Sequence, residues 1–490
     1  MPHAAPAAAP AKFGGGSKKR SAPEGFSKGK NEHAVKGQAP FKSKNYEEKR
    51  QKKDSQAADA SFAKTRKEQK ELALQRKARK PNFDLVQQCK AQWEILRQKE
   101  LSDADRIASV SKLMTLCRGK VQALIFTHDA SRIVQSLIKH AAPEQRREIF
   151  AELKGRWLDL ACAQYGHFIV LRGLKFASAE QRADIVDEFQ GHVLHLIRHR
   201  QASAILEEVY STYARANQKR ALMHEFYGPA FVVYKQQADG SESKSLKEVL
   251  EAEPSKRDVI LKSLRSSLES ILSKGFTSYG SQTLLHHAIS EFFQYTNPAL
   301  TLDLVEMLLE HVVSMVHTRD GARVAQYVFM LANNKQRKTI LKSFKGFVGK
   351  MAMEQFGHAV LLTVMETMDD TVTVGKTIFA ELCHSTTKDQ AAGGGDQPEF
   401  LTLCRDQFAS RVMRAALAPR DLKHQLVFVV NELAAFDELR RANCKKDDPI
   451  RAGELRTQFL KYVLPMLPAH VALLLRDAGP GSRVLSLTYE

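Results

Sequence analysis

Three five-residue segments of this chain carry side chains suited to contact with nucleic-acid bases. Each has a small residue, then Arg, then two apolar residues, then a polar or basic residue; they are Ser131–Gln135, Ala322–Gln326 and Ser410–Arg414. In a helix the first and fifth residues lie on nearly the same face, and the second lies beside them. A small polar residue and Gln can hydrogen-bond a base edge, while Arg can stack on a base. We refer to the first, second and fifth residues of each segment as positions one, two and five.

Related segments recur at a nearly constant spacing, which indicates an internal repeat. Position one falls at residues 131, 167, 203, 281, 322, 358 and 410, and weakly at 482. Three of the steps are 36 residues, and the step of 41 residues from 281 to 322 suggests a short insertion. Steps of 78 and 72 residues are close to two periods, and the first predicts a degenerate unit near Ser245–Glu251. Such a period predicts a solenoid, in which no unit buries its apolar face alone.

The chain between these segments has the pattern of paired helices. Glu144–Leu153 and Glu180–Phe189 carry apolar residues at helical spacing, and Pro143 marks the start of the first. No long alternating strand pattern is present. The unit is therefore predicted as helix, turn, helix, with the five-residue segment opening the second helix. The predicted fold class is all-α: an α-solenoid of stacked helical repeats behind a disordered basic N-terminal tail.

Most of the excess positive charge lies in the first 80 residues. They contain 21 Lys and Arg against 8 Asp and Glu, whereas the other 410 residues contain 53 against 47. This tail is rich in Lys, Gly, Ala and Ser, so it cannot bury enough apolar surface to fold alone. Its basic runs suit phosphate contact or nuclear import, and a merely solvated tail is the alternative. The basic residues assigned to this role are Lys18, Lys19, Arg20, Lys49, Arg50, Lys52 and Lys53.

Several function classes are disfavoured by what the sequence lacks. The tail has no continuous apolar core of a signal peptide, and no apolar run approaches the roughly 18–20 residues of a membrane helix. The six cysteines form no Cys-x-x-Cys pair, and no phosphate-binding P-loop, nucleophile elbow or HExxH motif occurs. His167 and His358 lack carboxylate or thiol partners at helical spacing, so we interpret them as helix-start or groove residues. We predict no enzyme activity, no metal and no cofactor.

The repeated positions differ in chemistry between units, which argues against a continuous base-reading code. Position five is Leu at 171, 285 and 362, and position two is Ala at 204 and 359. Leu makes no edge hydrogen bond and Ala does not stack, so phosphate-dominated binding with weak base preference is favoured. The predicted RNA-binding residues are Ser131, Arg132, Gln135, His167, Phe168, Ser203, Glu207, Ser281, Gln282, Ala322, Arg323, Gln326, His358, Ser410, Arg411 and Arg414.

Several stretches resemble one known family. Asn82–Val86 followed by Lys90–Arg97 looks like the segment before the first repeat of the Pumilio-repeat (PUF) family, in its nucleolar Puf-A/Penguin branch. Trp93, within that segment, is predicted to pack in the helix that caps the first repeat. His128–Gln135 resembles the first repeat itself. Further similar stretches, which extend the resemblance over roughly residues 81–490, are Ala202–Glu207, His317–Ala325 and Pro419–Asp421.

The resemblance implies stacked Pumilio repeats and a CPL domain, whose basic surfaces bind RNA or DNA with little sequence preference. It implies a nuclear, nucleolar protein that acts in large ribosomal subunit biogenesis and pre-rRNA processing. The expected partners are RNA (pre-rRNA or mRNA), DNA and proteins of the pre-ribosomal particle, and we expect a monomer without membrane association. Two alternatives stay open: a translational repressor that binds mRNA 3′ untranslated regions, and a HEAT- or armadillo-like scaffold for proteins.

The predicted domain organisation follows composition, spacing and resemblance. Residues 1–80 form the tail, 81–120 the N-terminal capping helices, 121–385 the first repeats, 386–398 a flexible loop and 399–490 the distal repeats. Members of the family continue for several more helices, whereas this chain stops at Glu490. Because a solenoid needs a capping unit with a polar outer face, we expect a truncated or divergent distal end with Val484, Leu485 and Leu487 uncovered.

Overall fold

The computed structural model describes residues 82–229, 231, 244–273, 282–383, 400–476 and 479–489, together with Gln69, Glu71 and Leu72. The chain divides into two units, Met1–Arg79 and Lys80–Glu490, of which the second is described below. Its regular elements are helical, without a strand among the described residues, so the predicted all-α fold is confirmed. The basic residues assigned in the tail, Ser281 and the predicted loop 386–398 lie outside the described residues.

The N-terminal part of the second unit has two long helices followed by three repeats of three helices each. The two long helices, α1 (Phe83–Leu96) and α2 (Asp103–Cys117), pack on each other and on the first repeat. The three repeats, which we call the proximal repeats, consist of α3 (Val121–Leu124), α4 (His128–His140) and α5 (Pro143–Leu153); α6 (Trp157–Cys162), α7 (His167–Phe176) and α8 (Ala179–Phe189); and α9 (Val193–Leu196), α10 (Ala202–Glu208) and α11 (Ala216–Met223).

The chain continues with helices that belong to further repeats or to insertions between them. They are α12 (Leu246–Ala252), α13 (Arg257–Leu272), α14 (Thr283–Tyr295), α15 (Leu302–Leu308), α16 (Val312–Met315), α17 (Arg319–Leu331), α18 (Asn334–Phe344), α19 (Val348–Met353), α20 (Gly357–Thr367), α21 (Thr371–Val374), α22 (Ala380–Leu382), α23 (Phe400–Arg405), α24 (Ala409–Leu417), α25 (Val427–Ala434), α26 (Asp437–Asn443), α27 (Asp448–Val463), α28 (Leu467–Arg476) and α29 (Pro480–Tyr489). Short π or 3₁₀ segments at Val209–Tyr213, His224–Tyr227, Pro254–Lys256, Pro298–Leu300 and Gly375–Phe379 extend or join them. We call α17–α29 the distal region.

Local sequence signals explain where several helices begin. Ser178 Oγ accepts a hydrogen bond from Gln181 N (3.2 Å), and the Gln181 side chain accepts one from Ser178 N (2.9 Å). This reciprocal pair satisfies two backbone donors that have no intrahelical acceptor. Pro143 occupies the first position of α5, where its missing N–H costs nothing. The helices predicted at Glu144–Leu153 and Glu180–Phe189 are confirmed as α5 and α8.

In several repeats a carboxylate at the third helix accepts hydrogen bonds from backbone N–H groups at the start of the first helix. Glu152 of α5 accepts hydrogen bonds from the backbone N–H groups of Gly119 (2.7 Å) and Val121 (3.0 Å) at the start of α3. Gly119 has a φ of 72°, which glycine adopts without steric cost. The same arrangement recurs at Glu188 with Gly155 and Trp157, at Glu225 with Gly191 and Val193, and at Glu381 with Gly346 and Val348.

Arginines on the third helices join the ends of neighbouring middle helices. Arg146 donates from Nη1 to Phe176 O (2.9 Å), the last residue of the middle helix in the next repeat. Arg337, which is fully buried, joins Phe329 O (3.0 Å) in its own repeat to Thr367 O (3.2 Å) in the next. Carbonyls at a helix C-terminus lack intrahelical donors, and the forked guanidinium supplies them.

The middle helices of the repeats pack side by side in one continuous stack. The order along the stack is α4, α7, α10, α14, α17, α20, α24 and α29, where α14 contacts Val209–Tyr213, the continuation of α10. Glu207 of α10 accepts hydrogen bonds from Thr283 N (2.8 Å) and Thr283 Oγ1 (2.6 Å) at the start of α14, so these two helices are immediate neighbours. The extra repeat predicted near Ser245–Glu251 is therefore wrong, because that segment lies in an insertion between two adjacent middle helices.

The C-terminal helix also packs on a middle helix. α29 lies against α23, α24 and α28, and its Val484, Leu485 and Leu487 are buried. The expectation that these three residues are uncovered is wrong. The second long step of the repeat, from residue 410 to 482, arises because α25–α28 are inserted between α24 and α29.

Two consecutive helices of the distal region, α27 and α28, are relevant to a possible membrane span. No single helix of the described residues is long and apolar enough to cross a membrane. The helices α27 and α28 together pass the test of length and composition, but they meet at an angle of 97°.

Candidate nucleic-acid interface

The structure changes the register of one repeat. Helices α4, α14 and α17 each have 13 residues, and position one is the fourth residue of α4 (Ser131) and of α17 (Ala322). The fourth residue of α14 is His286, which is buried and precedes Ala322 by 36 residues. His286 therefore replaces Ser281 as position one, and the step of 41 residues disappears.

Position one lies inside the repeats. Ser131 Oγ donates to Tyr165 O (2.8 Å) of the next repeat and accepts from Gln135 Nε2 (3.0 Å). Gln282, which precedes α14, is also buried and donates to Ser203 O (3.3 Å). These side chains hold adjacent repeats together, whereas the sequence prediction placed them on the surface. The buried residues at position one are Ser131, Ser203, His286, Ala322, His358 and Ser410.

Position two reaches the surface, chiefly in the proximal repeats. Arg132, Phe168 and Ala204 are exposed, and 48% of the Phe168 surface is accessible. The later repeats carry the half-buried His287 and Arg323 and then the buried Ala359 and Arg411. The row of position-two side chains is therefore exposed in the proximal repeats, covered at α20 and α24, and exposed again at Arg483 of α29.

Position five serves contacts between repeats. Gln326 is buried, and its Nε2 donates to Thr363 Oγ1 (2.9 Å) on the next middle helix. The Glu207 carboxylate is bonded to Thr283, and half-buried Gln135 bonds Ser131. Groups that the sequence assigned to base edges are thus already hydrogen-bonded within the protein.

Two arginines assigned to RNA binding in the distal region are enclosed. The Arg411 guanidinium lies between the rings of Phe408 and Phe428, at 5.0 and 5.6 Å from their centroids. Arg414 donates to the carbonyl of His424, and burial lowers the pKa of Arg414 to about 10. Both side chains are at most 8% exposed, so they support the packing of the segment that follows α24.

Oppositely charged side chains surround the segment that encloses these arginines. Arg420 bonds Glu366 (2.6 Å) and Asp437 (2.7 Å), while Arg440 bonds Asp437 and Asp448. The Arg440 guanidinium lowers the pKa of the Asp448 carboxyl to about 2. Arg451 adds bonds to Asp448 (2.6 Å) and Asp369 (3.2 Å). We call this set the distal ion-pair cluster: Glu366, Asp369, Arg420, Asp437, Arg440, Asp448 and Arg451.

A pocket of different character lies where α1 meets α4. Its volume is about 400 Å³, and its lining includes Trp93 together with Gln135, Ser136 and His140. Six cationic side chains line it, and no carboxylate of the described residues does. We call these six the proximal basic pocket: Arg97, Lys99, Arg106, Arg132, Lys139 and Arg172.

Comparisons with known proteins identify the family. A family model described as a Pumilio-family RNA binding repeat matches residues 130–154 and 156–189, and a CPL (NUC119) domain model matches residues 405–487. A crystal structure of human Puf-A is 32% identical in sequence with a TM-score of 0.74; the match covers 83% of this chain and 75% of that one. This chain belongs to the Pumilio family, in its Puf-A branch.

Other relatives extend the comparison. The structure of human Puf-A in complex with DNA has a TM-score of 0.75 at 32% identity, covering 83% of this chain and 76% of that one. Pumilio homolog 3 of Homo sapiens is 32% identical over 413 residues, or 84% of this chain and 60% of that protein. Pumilio homology domain family member 6 of Saccharomyces cerevisiae is 30% identical over 412 residues, with the same coverage. The chain thus spans about 60% of the length of these curated relatives.

Several residues of the proximal basic pocket were missed by sequence reasoning. Arg97 and Lys99 follow α1, outside the Pumilio repeats, and no repeat pattern points to them. Lys139 could have been found, because it lies seven residues after Arg132 and therefore on the same face of α4. In the second repeat Lys175 stands in the same relation to Phe168, and both lysines are exposed.

The two histidines at repeated positions are structural in their contacts. His167 is the first residue of α7, and its Nδ1 lies 3.1 Å from Ala163 O. His358 makes the equivalent contact with Glu354 O (3.2 Å), and burial lowers its pKa to about 4. Within the described ranges, no group of three or more His, Cys, Asp or Glu could hold a metal ion.

Proposed function

We propose that this chain binds RNA, and DNA as a second ligand, with low sequence specificity through the proximal Pumilio repeats. The observation that carries the proposal is the proximal basic pocket, whose lining, in the part of the chain that the structure describes, has six cationic side chains and no carboxylate. Clustered Lys and Arg neutralise phosphates and release counterions, which gives binding without sequence preference. The solved complex of the relative Puf-A with DNA supports this choice of ligand class.

Low specificity follows from the burial of the base-reading groups. Positions one and five point their polar atoms at neighbouring repeats, as Ser131 and Gln326 do. The groups left on the surface are Arg132, Phe168 and the lysines Lys139 and Lys175. Guanidinium and aromatic rings stack on any base, and ammonium groups attract any phosphate.

Salt dependence of RNA binding tests the proposal in solution. Each phosphate neutralised on a single strand contributes a slope of about −0.7 to log K against log salt concentration. We expect a steep slope for an unstructured RNA and a similar affinity for unrelated sequences of the same length. An affinity that is flat between low and moderate salt would contradict the proposal.

We further propose that the protein acts in the nucleolus, in large ribosomal subunit biogenesis and pre-rRNA processing, among proteins of the pre-ribosomal particle. The support is the membership of the Puf-A branch together with the basic composition of residues 1–80. Crosslinking the protein to RNA in cells and mapping the sites tests this. Sites concentrated in pre-rRNA are expected; sites in mRNA 3′ untranslated regions would favour the translational repressor instead.

One observation favours the alternative of a protein-binding scaffold for the distal region. Leu422, Leu426, Val427 and Phe428 are all exposed large apolar residues within seven positions. They adjoin a cavity of about 290 Å³ whose lining includes Val429, Val430 and Leu433. Contiguous exposed apolar surface often marks a protein contact. If protein binding were the chain's main activity, replacing Arg132 with Glu would leave RNA binding unchanged. The proposal of RNA binding by the proximal repeats predicts a loss instead.

A further inference from the structure

The proximal basic pocket is built around a buried tryptophan. The Trp93 ring has the guanidinium of Arg97 at 4.7 Å and that of Arg132 at 5.3 Å from its centroid. Trp93 Nε1 donates to Ser136 Oγ (2.7 Å), and Ser136 Oγ donates to Arg132 O (2.9 Å). The ring is thereby fixed against α4 and holds both guanidinium groups in place through cation–π contact. The two charges are positioned before any ligand arrives.

Most cations of this pocket have no carboxylate partner among the described residues. In the described part of the chain, Arg97, Lys99, Lys139 and Arg172 make no ion pair, and Arg106 pairs only with the exposed Asp103 (3.2 Å). His140, at the pocket wall, gives an independent sign of the local charge. Its pKa is lowered by burial and then by three of the cations, namely Lys139, Arg106 and Arg172.

The pocket also marks one end of the stack of repeats. α1 and α2 pack on α4, and no repeat precedes α4 among the described residues. A strand that follows the exposed row of position two, from Ala204 past Phe168 to Arg132, reaches the pocket at its end. A terminal phosphate monoester carries about −1.5 to −2 charges at neutral pH, since its second pKa is about 6, whereas a backbone diester carries one. The monoester is therefore the better match for a cluster of six cations of which only Arg106 has a carboxylate partner among the described residues.

We propose that the proximal basic pocket binds the terminal phosphate of a nucleic-acid strand lying on the proximal repeats. This assignment rests on the proposed function and refines it, because it predicts that the protein distinguishes strand ends while ignoring sequence. Arg97 and Arg132 supply guanidinium groups fixed by Trp93, and Arg172 and Lys139 supply further donors from adjacent repeats.

The test compares three RNA strands of one sequence, about one to two dozen nucleotides long: with hydroxyls at both ends, with a 5′-phosphate, and with a 3′-phosphate. Dissociation constants are measured by fluorescence anisotropy with the full chain at fixed salt. We expect one phosphorylated strand to bind about tenfold more tightly than the hydroxyl strand, the effect of one or two charge-assisted hydrogen bonds. The strand that gains identifies which end the pocket holds.

Two variants separate the pocket from general electrostatics. Arg172→Gln, which removes an exposed and unpaired cation of the pocket, should abolish most of the gain from the terminal phosphate. Arg147→Gln is the matched control, because Arg147 is an exposed arginine of α5 whose ion pair is with Glu144 in its own helix; the gain should persist. Circular dichroism and thermal unfolding of both variants check that each is folded.

The failures of the two proposals are distinguishable. If all three strands bind equally, the pocket assignment is overturned while RNA binding by the proximal repeats stands. A gain that survives unchanged in Arg172→Gln also overturns it, because the phosphate is then held elsewhere. If none of the strands binds even at low salt, the proposed function fails and the pocket assignment with it.

Discussion

Arg132 and Arg323 occupy the same position in their repeats, and each guanidinium lies over an aromatic ring from a segment between or before the repeats. Arg132 lies over the buried ring of Trp93 in α1, and Arg323 lies 5.8 Å from the ring centroid of the buried Phe436, which precedes α26. Phe436 also packs edge-on against Tyr327 (5.0 Å), the residue equivalent to Ser136 beneath Trp93. The two sites are therefore built alike and differ in the charge around them.

That difference in charge separates the two regions. Near Phe436 the arginines are matched by carboxylates in the distal ion-pair cluster, whereas no carboxylate from residues 82–229 or the other described ranges lines the proximal basic pocket. Like charges held together repel, so the proximal cluster gains stability from a bound anion. The distal cluster is already neutralised by the chain's own segment, and its repeats are covered by that segment. The segment that packs on position two, α1 in one region and α25–α26 in the other, thus determines whether that position is available to a ligand or packs inside the protein.

The strongest test of this contrast is the removal of a charge from the distal cluster. Arg440 is 5% exposed and bonds both Asp437 and Asp448. Arg440→Met should lower the free energy of unfolding by about 3 kcal/mol, because it removes charge-assisted hydrogen bonds of a buried guanidinium, although Asp437 keeps Arg420 and Asp448 keeps Arg451. Urea unfolding followed by far-UV circular dichroism measures this.

The matched control for that experiment is a surface ion pair of the proximal repeats. Arg118 is 66% exposed and bonds Glu148 at 2.8 Å. Arg118→Met should change the free energy of unfolding by less than about 1 kcal/mol, since exposed pairs contribute little. Equal losses in the two variants would contradict a structural role specific to the distal cluster.

Charge reversal at the two equivalent arginines compares the regions directly. Arg132→Glu should weaken RNA binding by about 30-fold, because it removes a phosphate or base contact and adds repulsion. Arg323→Glu should leave affinity within about twofold of the unaltered chain while lowering its stability, because its guanidinium packs on the ring of Phe436. Anisotropy titrations and urea unfolding of both variants provide the data; equal losses of affinity would mean that the ligand also covers the distal repeats.

A smaller and salt-independent effect is expected at Phe168. Phe168→Ala should weaken single-stranded RNA binding by about tenfold, the contribution of one stacked base, without changing the salt slope. Phe347→Ala is the matched control, because Phe347 is equally exposed at 48% and lies in a short connection before α19. A reduced salt slope in Phe168→Ala would show that the ring acts by placing a cation rather than by stacking.

The last prediction concerns how the stability of the distal region depends on pH. The distal carboxylates should change stability little near neutral pH and selectively destabilise the distal region in acid. The pKa of Asp448 is lowered from 3.8 to about 2 by Arg440, and the pKa values of Asp437 and Asp369 are also lowered. Because the folded pKa is depressed, this stabilisation is complete above about pH 4 and is lost as the pH falls toward 2. The distal region should therefore lose structure before the proximal repeats.

Both tryptophans, Trp93 and Trp157, lie in the N-terminal half of the chain, so they report on that half alone. On acidification, far-UV circular dichroism should change at a higher pH than tryptophan emission. Coincident transitions would indicate that the stack unfolds as one unit, as strong coupling between neighbouring repeats allows.

The sequence could predict the repeat, the helical class and the capping role of Trp93, because these depend on local patterns. It missed the register at His286, since His286–Ser290 shares little with the segments Ser131–Gln135 and Ala322–Gln326. It also missed the carboxylates at Glu152 and Glu188, although they recur at 36 residues, because their partners are backbone N–H groups that no side-chain pattern reveals.

From its residues alone, this chain has a 36-residue helical period, a basic N-terminal stretch and an Arg or aromatic residue that recurs at position two. Those properties follow from the order of side chains along single helices. Which of the recurring residues are accessible was decided only by the tertiary structure, because α1 and α25–α26 come from outside the repeats and pack on equivalent positions. The segment around α1 adds the cation Arg97, which leaves a positively charged surface accessible to an anion. The segment around α26 adds Asp437, whose carboxylate already pairs with the arginines near it.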